Sequence, residues 1–94
     1  METLRLRCKV VTGQFSGEYA VSSTQSDGST FSLFVDEDSV DRDNGTGEGW
    51  LSVDLISRKG DDALIRLPAQ SLEGSQFVTV KSPQLSPGFQ SSRR

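Results

Sequence analysis

One segment near the start of the chain decides most of its fold class. Over residues 3–11, Leu4, Leu6, Cys8 and Val10 alternate with Arg5, Arg7 and Lys9. Successive side chains of an extended chain point to opposite faces. A period of two therefore gathers four apolar groups on one face and three cations on the other. A helix would need apolar residues at i, i+3 and i+4, and here they fall at i, i+2 and i+4. The segment reads as a half-buried β-strand.

The same alternation recurs with turn signals between the runs. Residues 18–24 carry Tyr19, Val21 and Ser23 on one face, and residues 30–36 carry Phe31, Leu33 and Val35. The Asp27-Gly28 pair between them is a strong hairpin signal. Residues 50–57 place Leu51, Val53 and Leu55 inward, and residues 62–67 place Ala63, Ile65 and Leu67 inward. Pro68 ends that run because proline cannot donate to a ladder. Residues 75–81 complete the set with Val78 and Val80.

This pattern predicts an all-β chain, a small antiparallel barrel or roll of about six short strands, forming a single domain over residues 1–81. An SH3-like barrel is favoured over an OB-fold. An OB-fold usually carries a helix between its third and fourth strands, and here that interval, residues 36–49, is rich in Gly and Asp and poor in helix formers. The interval is expected to be an exposed, mobile loop in which Val40 anchors at most one helical turn. Residues 82–94, with Pro83, Pro87, Gly88 and repeated Ser, read as a disordered tail.

Composition narrows the chemistry. The 94 residues include no His and one Cys. The missing His removes Ser-His-Asp and Cys-His catalysis and His-bound zinc. A single Cys removes an internal disulfide and a CxxC site. The net charge of −3 argues against a general nucleic-acid binder, whose domain is usually basic. The longest apolar run is two or three residues, far below the ~18 of a membrane-spanning helix. The first residues lack the apolar stretch of a secretion signal, so a cytoplasmic protein without membrane association is expected. No cofactor is expected.

Four constellations remain. Asp41 and Asp43 begin like a calcium loop, but the sixth and twelfth positions hold Thr46 and Ser52 instead of Gly and Glu. An EF-hand is rejected, and a solvated loop is favoured over a weak calcium site on Asp41 and Asp43. The row Arg5, Arg7 and Lys9 suits either phosphates or cross-strand pairing with acids such as Glu18, Asp54 or Asp62, and pairing is favoured. Phe15, between Gly13 and Gly17, is expected to cap one end of the barrel, and Cys8 to be a buried thiol.

The fourth constellation is a surplus. With Leu33, Val53, Ile65 and Val78 inward, the residues Val11, Phe34, Trp50, Ile56, Leu64 and Phe77 point the other way. Sheet curvature, a partner chain or a stacked ligand are the three destinations available to them. The leading expectation is a non-enzymatic module that binds another protein, or its own copy, through a patch of Trp50, Phe34, Phe77, Ile56 and Leu64. Residues 36–48, with six acids and one Arg, would tune partner choice by charge. The alternative is a nucleic-acid-binding barrel that uses Arg5, Arg7, Lys9 and Lys81 for phosphates and the aromatics for stacking. Nucleic acid ranks below protein as a partner, and an enzyme working through carboxylates or calcium ranks third.

Overall fold

A computed structural model describes residues 2–13, 15–43 and 46–87. The chain is all-β, and every strand pairing is antiparallel. Its organising element is β1 (Glu2–Thr12), the strand read first from the sequence. One edge of β1 pairs with β5 (Glu48–Lys59), from Glu2 opposite Leu55 to Lys9 opposite Glu48. The other edge is divided. Residues 9–12 pair with β2 (Glu18–Thr24), and residues 4–6 pair with β8 (Leu85–Pro87).

From this centre the sheet grows both ways, in the order β3-β2-β1-β5-β6-β7. β3 (Thr30–Asp36) follows β2 through the predicted hairpin. Gly28 supplies the positive φ of 91° that the turn needs, and Ser29 donates its N–H and hydroxyl to Asp27 Oδ1. β6 (Asp62–Arg66) and β7 (Phe77–Lys81) form a meander after β5, and short β4 (Val40–Arg42) pairs with the start of β5. The two ends curl toward each other into a half-barrel. Ser26 N–H donates to the Thr79 carbonyl at 2.8 Å, and Leu72 N–H donates to the Ser32 carbonyl at 2.7 Å.

Alternation puts the core where the pattern predicted. Leu4, Leu6, Cys8 and Val10 of β1 are buried with Val21, Phe31, Leu33, Leu51, Val53, Ile65, Val78 and Val80. Between Leu55 and Ser57 a β-bulge shifts the register of β5 against β6. It leaves Leu55 packed on the core and Ile56 outside.

Three expectations need correction. The 36–49 interval is not simply an exposed loop, because it holds a 3₁₀ turn (Glu37–Ser39) and then β4. Val40 packs against the core, and the β4 backbone completes the edge of β5 that β6 leaves open. The tail does not begin at residue 82. Ser82–Gln84 form a second 3₁₀ turn, with Lys81 N–H donating to Gln84 Oε1, and β8 then fills the β1 edge beyond β2. Residues 88–94 of the expected tail lie outside the described residues. Phe15 is no cap, since it sits 71% exposed at the tip of the β1–β2 connection.

Candidate functional site

The outer face of β1 carries the densest set of charged contacts. Arg5, Arg7 and Lys9 point outward, as their parity requires, and register places Trp50 opposite Arg7, with Asp41 opposite Trp50 on its far side. The guanidinium groups of Arg5 and Arg7 each lie 5.1 Å from the centre of the Trp50 ring, within cation–π range. Arg5 also reaches Asp41 at 3.3 Å, while Arg7 holds Asp43 at 2.9 Å and Glu48 at 2.7 Å. The Asp43 contact, followed by the Glu48 contact, raises the Arg7 pKa above its ordinary value. Trp50 is thus half-buried under two of the chain's own arginines.

This arrangement shows where the residues of two constellations lie. Two members of the basic row are engaged, and their partners are Asp41, Asp43 and Glu48 in place of Glu18, Asp54 or Asp62. Asp54 pairs instead with Arg66 at 2.8 Å and Asp62 with Lys81 at 3.0 Å. Lys9 alone of the row has no ion-pair partner among the described residues. The same bonds occupy Asp41 and Asp43, the calcium candidates. No group of three or more metal-ligating side chains converges among the described residues. Each exposed, screened pair contributes little by itself. Together they tie the 36–48 segment to β1.

The five patch residues do not share one surface. Trp50 lies at the centre of the sheet under its arginines. Phe34 lies at one end, where register puts it opposite Ala20 and puts Ala20 opposite Val11. Phe34 is 41% exposed and Val11 59%. At the other end, Phe77 faces Arg66, and Leu64 stands diagonally from Phe77 and directly opposite Ser57, beside the bulged Ile56. Diagonal neighbours on one face are within reach of aromatic side chains. Ile56, Leu64 and Phe77 therefore make a second strip, with Ile56 40% and Phe77 51% exposed. Both strips cross three strands.

A cleft of 380 Å³ opens where β1 passes from β8 to β2, with Arg7, Lys9, Ser22, Thr24, Thr30 and Gln84 among its lining. Gln84 stitches the fork by donating to the Thr24 carbonyl at 3.0 Å and to Ser23 Oγ at 3.4 Å. The charges beside the cleft cancel, because Arg7 is already shared by Asp43 and Glu48.

Cys8 lies in the cleft wall but is buried, and burial pushes its thiol up to about 12 from an ordinary 9.0. Two consequences follow. The native thiol should react with a disulfide reagent at pH 8 at least ~10-fold slower than in urea. The folded pKa lies above the unfolded one, so the associated stability is complete below pH 9 and lost as pH rises from 9 toward 12, by at most ~1.4 kcal/mol per unit. A Cys8→Ser chain whose stability falls equally between pH 9 and 11 would remove the thiol as the cause.

Sequence reasoning missed β4 and the acids that bind the arginines. The signal was present as Val40-Asp41-Arg42, one inward residue followed by an outward one, too short to separate from loop. Compared with known protein families, curated proteins and solved structures, the chain matches none.

Proposed function

We propose that this chain is a small non-enzymatic β-barrel module, SH3-like in kind, that works by binding protein. The observation that carries the reading is the pair of outward apolar strips, Val11–Ala20–Phe34 and Ile56–Leu64–Phe77. An exposed apolar residue is ordinary when alone. Cross-strand strips on both ends of a small sheet are more than scatter, and such strips mark interaction surfaces. Trp50 leaves the patch, since its ring is covered by Arg5 and Arg7. The SH3-like reading is supported by the 36–49 interval, which holds a 3₁₀ turn and a short strand with no α-helix among its described residues. Nucleic acid is the weaker alternative, because two of the three cations on β1 are neutralised within the chain.

The test compares columns bearing the wild-type chain and a Phe34→Ser/Phe77→Ser double variant, both checked for fold by circular dichroism. Proteins held by the wild type should fall at least ~10-fold on the variant, as expected for loss of ~1.4 kcal/mol or more. Identical retention by the two columns would end the reading.

A further inference from the structure

The turn between β2 and β3 carries the chain's one Asp-Gly step, Asp27-Gly28. Such a step has chemistry of its own. Glycine has no side chain to shield its nitrogen, so the Gly28 nitrogen can reach Cγ of the aspartate before it. A new C–N bond closes a five-membered succinimide. The carboxyl loses one oxygen, which takes its own proton and the Gly28 proton and leaves as water. Water then opens the ring at either carbonyl. One product is aspartate again, and the other is isoaspartate, whose main chain runs through the side-chain methylene. No enzyme, oxidant or cofactor enters the balance.

Both reacting groups are exposed, and both are held. Asp27, Gly28 and Ser29 face solvent. The Gly28 N–H donates to the Gln25 carbonyl at 3.0 Å, which closes the turn and ties down the nucleophile. Asp27 Oδ1 accepts from the Ser29 N–H at 2.9 Å and from the Ser29 hydroxyl at 2.6 Å. Gln25 Nε2 donates to that hydroxyl at 3.1 Å, which leaves the hydroxyl proton for Asp27. These bonds, the hydroxyl's first, hold the Asp27 carboxyl below its ordinary value. An ionised carboxylate resists ring closure, because the oxygen that leaves as water must first be protonated. Pinning Oδ1 on Ser29 also restrains the side-chain rotation that closure demands.

We propose that Asp27-Gly28 is a latent site of isoaspartate formation and that the Ser29 hydroxyl keeps it closed. The site stands where the half-barrel is joined. Ser26, next to it, donates its N–H to the Thr79 carbonyl at 2.8 Å, and Gln25 N–H donates to the Ser29 carbonyl at 2.7 Å. Isoaspartate at 27 adds a methylene to the main chain within this turn. The turn then no longer fits its hydrogen bonds, and the hairpin loosens its hold on β7. A change at one exposed residue is thereby felt where the two ends of the sheet meet.

The experiment incubates the wild type, Ser29→Ala and Ser29→Thr at neutral pH, native and in urea. Isoaspartate is measured in the tryptic peptide 10–42, which holds Asp27 and excludes the Asn44-Gly45 step. In urea the three chains should form it at similar rates. The native wild type should be at least ~10-fold slower than in urea, since both reacting groups are bonded. Native Ser29→Ala should be roughly 3–10-fold faster than the native wild type, the factor that corresponds to one typical hydrogen bond. Native Ser29→Thr, which keeps the hydroxyl, should match the wild type. As isoaspartate accumulates, amide protection at Ser26 should fall with it. Three results overturn the inference: no isoaspartate at 27 in urea, equal rates for native and urea-treated wild type, or a native Ser29→Ala chain no faster than wild type. A Ser29→Ala chain that loses Ser26 protection before any isoaspartate forms would assign the restraint to the hairpin as a whole and reject the hydroxyl.

Discussion

Replacing Gly49 by alanine should detach β4 and release Trp50, at a cost of about 2–3 kcal/mol. A Cβ built at Gly49 would lie 2.5 Å from the Asp41 carbonyl oxygen, 3.1 Å from Arg42 Cα and 3.1 Å from Val10 Cγ2. The first two are β4 backbone, and no rotamer change moves them aside. Overpacking typically costs 1–3 kcal/mol, and a contact with rigid backbone belongs at the upper end. The weaker partner should give way. β4 has three residues, whereas β5 is held along its length by β1 and β6. Movement of β4 carries Asp41 and Asp43 away from Arg5 and Arg7. The expected readings are a lower urea midpoint, a shifted Trp50 emission and loss of amide protection at residues 41–43. A Gly49→Ala chain within about 0.5 kcal/mol of wild type, with protection retained, would show that β4 is not packed as closely as described.

Truncating Phe31 to alanine should be costlier, about 3–5 kcal/mol. Phe31 is among the largest fully buried side chains and stands on β3 opposite Ser23, with Val21, Leu33 and Val80 in the same core. Removing its ring forfeits the transfer free energy of the ring and leaves a cavity that a curved sheet held by hydrogen bonds cannot collapse to fill. A domain of this size has about 5–14 kcal/mol in total, so a large share of its stability is at stake. At about 4–8 °C per kcal/mol, the melting temperature should drop by ~12–40 °C. Phe34→Ala, three residues along the same strand but outward, should cost less than about 1 kcal/mol and serves as the comparison. Equal losses at the two positions would contradict the assignment of faces.

Much of this architecture was legible because period-two patterning needs only local information. The residues of β2 and β3, the hairpin at Asp27-Gly28 and the inward set on β1 all follow from alternation and turn chemistry. What was not legible depends on pairing at long range. Arg7 meets Glu48 and Asp43 because β1 and β5 align at one register, and no local pattern states which of thirteen acids will arrive there. The patch divided for a related reason. Outward parity places Phe34, Trp50 and Phe77 on the same face of the sheet, while their separation across β3, β5 and β7 depends on strand order. Ile56 was rightly outward, but only the bulge after Leu55 explains how Leu55 and Ser57 both keep partners on β6.

The divided edge of β1 has a consequence for how the chain comes into being. β1 can meet β2 almost as soon as the hairpin is made, but its partner on the other edge lies about 40–50 residues further on. At a synthesis rate of ~5–20 residues per second, that edge waits roughly 2–10 s for β5. During the wait, Leu4 and Leu6 belong to an open strand that any other nascent chain can extend. Arg5 and Arg7 are then without Asp41, Asp43 and Glu48, and with Lys9 they leave three unpaired cations on the strand, which discourage addition by a neighbour. The two arginines that cover Trp50 in the finished protein are thus also charges that guard an open strand before its partner exists.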